Sequence, residues 1–201
     1  YWLLFVAIAG LLLISSLSYG SIPIRPQDEL ETNGNMSSWA ALIEGLRIFL
    51  TDRRFLLFQV GFAFAGTANH MVFWMVPDLC NDHLGMPEDQ TRLIAAVIPA
   101  LLVTFSAPFW GRYLDKTNPM LGRATFNVIQ ATAFMLVAWG GRGGDSTIVV
   151  IGIVVHGVSA GGSTVNWLTG SLHFAGNDRV SLYNAVHVGL TGLRGMVAPL
   201  V

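Results

Sequence analysis

The chain is cut into apolar blocks long enough to cross a lipid bilayer, with its charges collected between them, and few folds can hold such a sequence. The blocks run from Tyr1 to about Tyr19, from Phe55 to Val76, from about Arg92 to Trp110, from about Ala124 to Trp139, from about Thr147 to Leu168, and from near Val180 to Val201. A hydrocarbon layer of roughly 30 Å takes about 20 helical residues to cross. Inside it every backbone N–H and C=O must be bonded within the protein, which helices achieve segment by segment. Composition agrees, since 53% of the 201 residues are hydrophobic and 11% are charged, against about 25% charged in soluble proteins. We read an all-α fold, a polytopic membrane helix bundle of six transmembrane helices plus a short amphipathic surface helix.

Other classes find little support. A formal charge of -1, with no Lys/Arg cluster interleaved with aromatics, gives no reason to expect a nucleic-acid partner. Cys80 stands alone, so no intramolecular disulfide and no Cys/His zinc spacing arises, and neither metal nor cofactor is expected. There is no H-E-x-x-H, no G-x-S-x-G and no pair of carboxylates within a span, which argues against an enzyme. Because Ser, His and Asn do share spans, a membrane-embedded enzyme or a non-transporting multi-span protein is the alternative. The start at Tyr1 inside an apolar run, without Met or a basic leader, and the stop at Val201 inside another suggest a piece of a longer protein without a signal peptide.

Taken in order, residues 1–20 form the first span, ended by Gly20, Pro23 and Pro26. Residues 21–54 form a linker, of which 21–37 is polar with little to bury. Over 38–52, Trp39, Leu42, Ile43, Leu46, Phe49 and Leu50 recur at helical spacing behind an N-cap at Ser37 or Ser38, which predicts an amphipathic helix on the membrane surface. Residues 55–201 then hold spans at about 55–77, 92–111, 123–140, 147–169 and 180–201. Pro77 is expected to close its span, Pro99 and Pro108 to bend theirs, and Gly140-Gly141-Arg142-Gly143-Gly144 to make a flexible turn. Arg25, Arg47, Arg53, Arg54, Arg112, Lys116, Arg123 and Arg179 fall in alternate loops, with Arg92 and Arg142 opposite. The positive-inside rule makes the richer side cytoplasmic, including linker 21–54 and loops 112–123 and 170–179. The sequon Asn35-Met36-Ser37 then faces the cytoplasm and stays unmodified.

Polar residues line single faces of three spans. Asn184, His187, Thr191 and Arg194 are spaced by three, four and three, and so are His156, Ser159, Ser163 and Asn166. In the second span Gln59, Phe62, Gly66, Asn69, His70, Phe73 and Pro77 share a side. A charge at the centre of a span costs roughly 2.5 to 3.5 kcal/mol on insertion scales, so Arg194 should face protein or water. The structural alternatives are snorkelling of Arg194 to an interface, helix bridging by Asn69 and His70, and bonding of Ser159 and Ser163 to their own backbone carbonyls. Gly157 and Gly161 read as a close helix contact. Asn127 and Gln130 read as inter-helix bonding groups. The candidate substrate or ion pathway is Asn69, His70, His156, Asn166, His187 and Arg194, with His70, His156 and His187 able to take up a proton near neutral pH.

The turn Gly111-Arg112-Tyr113-Leu114-Asp115-Lys116-Thr117-Asn118-Pro119 carries a family signal. Gly111, Asp115 and Lys116 fit G-x-x-x-D-[RK], which resembles the cytoplasmic loop motif of the major facilitator superfamily. The full motif continues x-G-[RK]-[RK], where Asn118, Pro119 and Met120 stand here and a base returns at Arg123. Gly192-Leu193-Arg194-Gly195 with Ala198-Pro199 resembles the eleventh helix of some bacterial members. The layout of span, linker, surface helix and five more spans corresponds to the sixth through eleventh helices of that family. The resemblance implies a secondary transporter moving a small organic solute by alternating access in the plasma (inner) membrane. It further implies a missing N-terminal half-bundle of the same protein as partner, alongside the lipid bilayer and possible coupling to a proton. Gly111, Asp115 and Lys116 would act in gating, the glycine by letting helices approach and the aspartate by accepting bonds from helix-terminal amides. No Asp or Glu lies well inside a span, which departs from many proton-coupled members.

Overall fold

The computed structural model describes residues 38–175 and 179–197, with backbone alone at Ser38, Met71, Phe73, Trp74 and Val197. Six helices follow one another: α1 Ser38–Thr51, α2 Arg53–His83, α3 Glu88–Leu114, α4 Pro119–Gly143, α5 Ser146–Phe174 and α6 Val180–Val197. No strand occurs among the described residues. Residues 41–201 form one compact unit, and of those before it only the first turn of α1 is described. Helices α2 to α5 are each long and apolar enough to cross a membrane. Helix α6 is not among them, because Asn184, His187 and Arg194 interrupt its 18 described residues. The expected first span, the polar linker 21–37 and Ala198-Pro199 lie outside the described residues.

The helix ends are set by local chemistry. Asp52 caps α2, its Oδ1 accepting from the backbone N–H groups of Arg54 at 3.0 Å and Phe55 at 3.1 Å. Its other oxygen accepts from the Tyr183 hydroxyl at 2.8 Å, so one carboxylate both starts α2 and holds α6 beside it. Asn118 caps α4 through Met120 N–H at 2.8 Å, and Asp145 caps α5 through Thr147 and Ile148. Gly144, with φ +68°, ends α4 in the left-handed conformation that glycine adopts without a Cβ clash.

Three boundaries differ from the sequence reading. Pro77 does not close its span: α2 continues through it and widens over Leu79–His83, where Leu84 N–H reaches back five residues to the Leu79 carbonyl at 3.0 Å. A similar widening at Leu93–Val97 precedes Pro99. The acidic loop therefore shrinks to residues 84–87. Gly140, Gly141 and Gly143 belong to α4 rather than to a flexible turn. A Cβ on Gly140 would lie 2.8 Å from Val149 N and 2.9 Å from the Asp145 carbonyl, so glycine is what lets α5 turn back closely against α4. Gly111 through Leu114 are likewise the last turn of α3, and the polar turn is reduced to residues 115–118.

Helix α5 is the centre of the bundle, packed along α4 on one side and α3 on another. Its small residues make this possible. A Cβ on Gly157 would meet Leu102 Cβ at 3.0 Å and Pro99 Cα at 3.1 Å, and one on Gly161 would meet the Val103 carbonyl at 2.9 Å, which bears out the close-contact reading of that pair. Gly152 faces α4, where a Cβ would lie 2.8 Å from the Ala133 carbonyl. Ser106 and the Trp110 indole both donate to the Val158 carbonyl, at 3.0 and 2.7 Å, and lock α3 to α5. Outward, the surface is apolar: Phe64, Phe105, Phe109, Val128, Met135 and Trp139 are all exposed. So are Leu42, Ile43, Leu46 and Leu50 of α1, whose Gly45 and Ile48 face the bundle instead. A surface of this kind belongs against lipid, and the chain is a multi-pass membrane protein.

Gly152→Leu should force α4 and α5 apart and cost about 1–3 kcal/mol or more, the range for overpacking a tight contact. Gly189→Ala, where a Cβ meets nothing within 4 Å, should be neutral or mildly stabilising. Thermal unfolding of the two variants in detergent checks the difference.

Candidate functional site

The polar faces of four helices converge on one cavity of about 520 Å³, lined from α2 by Phe62, Gly66, Asn69 and His70 and from α4 by Arg123 and Gln130. From α5 come His156, Ala160, Ser163, Thr164 and Trp167, and from α6 Thr191 and Arg194. The volume lies within the range of small-molecule sites. Of the six residues expected on the pathway, the structure brings Asn69, His70, His156 and Arg194 together here.

The other two do different work. Asn166 is fully buried, and its amide donates to the Pro119 carbonyl at 3.2 Å, pinning α5 to the start of α4 away from the cavity. His187 is also fully buried, behind the cavity wall. Its Nδ1 is 3.0 Å from Gln59 Oε1, and its ring is edge-on to Phe62 at 4.8 Å between centroids, with Phe58 at 5.9 Å and Trp167 at 6.2 Å. His187 thereby fixes the position of Phe62.

Phe62 in turn holds two cations. The guanidinium carbon of Arg123 lies 4.4 Å from its ring centroid and that of Arg194 lies 5.3 Å from it, so the two charges are no farther apart than those distances laid end to end. At about 10 Å and an effective dielectric constant near 20 their repulsion is roughly 1.7 kcal/mol. Each contact with the ring returns about 0.5–2 kcal/mol, so the ring offsets the repulsion without leaving the cations satisfied. Arg194 also donates to the Phe62 carbonyl at 3.3 Å. Arg123 is 7% exposed. Its Nε and that of Arg194 are buried without a hydrogen-bond partner among the described residues. Gly66 is the reason Arg194 fits, since a Cβ there would overlap its guanidinium.

A neutral network completes the wall. The Asn69 amide donates to the Ala65 carbonyl at 3.0 Å and to Gln130 Oε1 at 3.2 Å, and Gln130 donates on to Ser163 Oγ at 3.3 Å, tying α2, α4 and α5 together. Gln130 thus acts as the inter-helix group the sequence suggested. Ser159, expected to bond to its own helix, instead donates to the Phe126 carbonyl of α4 at 3.3 Å, because the close α4–α5 approach puts that acceptor within reach. His156 stands 5.2 Å from the Phe134 ring and also borders an apolar cavity of about 300 Å³.

Arg123 is the functional candidate that sequence reasoning missed. Counted there among the loop charges of 112–123, it sits one turn inside α4 and faces inward. Its spacing of seven from Gln130, two helical turns on the same face, was the available signal. The motif turn also differs in detail. Asp115 and Lys116 are exposed, and Asn118, not Asp115, caps α4. Gly111 has open space around it among the described residues.

A bundle of apolar helices whose polar faces line an open cavity suits a membrane transport protein. The family model of the Major Facilitator Superfamily matches residues 1–199, and the chain belongs to that superfamily of transporters. No curated protein and no solved structure matches it.

Gly66→Ala should displace the Arg194 guanidinium, which is the free end of a flexible side chain, while changing fold stability by only about 0.5 kcal/mol or less. An unfolding curve close to wild type, with an electron-microscopy map showing Arg194 moved off the Phe62 carbonyl, is the expected result.

Proposed function

We propose that the chain supplies one half of a secondary transporter that moves a small organic solute by alternating access, with the cavity between α2, α4, α5 and α6 as its share of the solute path. The observation that carries this reading is the convergence of Asn69, His70, Arg123, Gln130, His156 and Arg194 on one cavity in a bundle whose outer surface is apolar. Polar groups within a membrane are costly and belong on a solute or ion route or in a satisfied internal network. Here the Asn69–Gln130–Ser163 network is largely satisfied and shapes the wall, whereas the arginines keep donors to spare.

In this reading a second half-bundle of the same protein, the N-terminal one, rocks against this one about the cavity. Asp115 and Lys116, exposed in the turn between α3 and α4, are placed for contacts made in only one of the two states, with Gly111 just before them. His70 and His156, the cavity imidazoles, are the groups available to a coupling proton. The membrane is the plasma (inner) membrane, with α1 and the α3–α4 and α5–α6 connections on the cytoplasmic side by their basic residues.

Reconstituted in proteoliposomes, the complete transporter is expected to accumulate at least one labelled solute from a panel of small organic acids, amines and sugars. Gln130→Leu, which breaks the wall network, should lower that flux roughly tenfold, from the cost of about 1–3 kcal/mol for an orphaned buried polar partner. Met135→Ala, on the exposed face of α4, should not. Equal flux in both variants, with normal insertion, would contradict the assignment of the path.

A further inference from the structure

We infer that the cavity takes an anionic solute, with a carboxylate or phosphate group bound by the guanidinium groups of Arg123 and Arg194 beside the Phe62 ring. This rests on the transport reading above and names the substrate class of the same site.

Three observations carry it. Both cations approach one aromatic ring, at 4.4 and 5.3 Å, so a single group placed beside that ring is within reach of both. Among the described residues no Asp or Glu lines the cavity, and the ion pairs join Arg47, Arg92 and Arg179 to Glu44 or Glu88, none of them at this site. Arg123, more than nine-tenths buried, lines the cavity and makes no hydrogen bond among the described residues, its Nε included, and Arg194 commits one N–H to the Phe62 carbonyl while its Nε has no partner among them.

The guanidinium is a planar fork of five donors that matches the oxygens of a carboxylate or phosphate two at a time. An oxyanion here would satisfy donors that the protein leaves open and cancel the repulsion between the two cations. A cationic solute would add a third positive charge, and a neutral one would leave the pair as it stands. Beside the arginines, the Trp167 ring supplies a flat apolar surface for the body of the solute, and Asn69 and Gln130 supply polar contacts across the cavity.

The test uses the complete transporter in lipid nanodiscs, with unfolding temperature followed against benzoate, succinate and phenyl phosphate. The matched controls are benzamide, succinamide and the cation benzamidine. At least one anion is expected to raise the unfolding temperature in a saturable way, and none of the controls should. Arg123→Gln and Arg194→Gln should each weaken the response roughly tenfold or more. Arg123→Lys and Arg194→Lys keep the charge, and with it the packing, but lose the fork, and should also weaken it. Gly189→Ala should leave it unchanged. If no anion stabilises the protein more than its neutral partner does, as when an acidic group from elsewhere in the transporter already neutralises the pair, the inference is overturned. Survival of the response in the double Gln variant overturns it as well. Anion-dependent stabilisation without uptake of that anion into proteoliposomes would remove the transport reading and leave the anion site. Uptake of benzamide or benzamidine with no anion response would do the reverse.

Discussion

A guanidinium group inside a membrane must be held by something other than lipid, and here two of them are held by one phenyl ring. Phe62 carries both Arg123 and Arg194 against its ring, and much of the surrounding architecture serves to keep it there. His187 packs edge-on against the ring and is itself oriented by Gln59. Gly66, one turn further along α2, clears the volume that Arg194 occupies. Asp52 and Tyr183 tie the beginnings of α2 and α6 together, so that the helix bearing Phe62 and the helix bearing Arg194 keep their register.

The second determinant is how closely α5 can be approached. Gly152 and Gly162 admit α4, while Gly157 and Gly161 admit α3, and between these contacts His156, Ser163 and Trp167 reach the cavity. Hydrophobic attraction contributes little between helices in lipid, so close van der Waals contact and hydrogen bonds across the interfaces must hold the bundle together. Ser106, Trp110, Ser159 and Asn166 supply such bonds, each donating to a backbone carbonyl of a neighbouring helix. The polar residues of the spans therefore include those that join helices and those that line the cavity, with Asn69, Gln130 and Ser163 serving in both.

Much of this was legible in the residue order. Apolar blocks of membrane-crossing length placed the four long helices, and the three- and four-residue spacing of Asn69, His156, Thr191 and Arg194 with their neighbours identified faces that do meet. Proline and glycine were harder to read. Pro77 looks like a stop, yet α2 runs on through it, and Gly140 and Gly141 look like a loop, yet they are where two helices touch. Those outcomes depend on a neighbouring helix that local sequence does not display. The same limit applied to Arg123, whose proximity to a basic turn suggested a loop charge, whereas rotation about the α4 axis aims it inward. Asn166 and His187 occupied the right faces, and only packing reveals that each is covered.

Accessibility to water tests the central claim most directly. Cys80 is the chain's one cysteine and is buried, so a Cys80→Ala background allows single cysteines to be placed by Arg194→Cys on the cavity wall and by Val128→Cys on the exposed apolar face of α4. A charged, membrane-impermeant thiol reagent applied to the complete transporter in a bilayer should modify the first and leave the second untouched. Modification of the Val128 position with protection of the Arg194 position would contradict the account, because it would place water on the outside of the bundle and lipid where the two arginines meet.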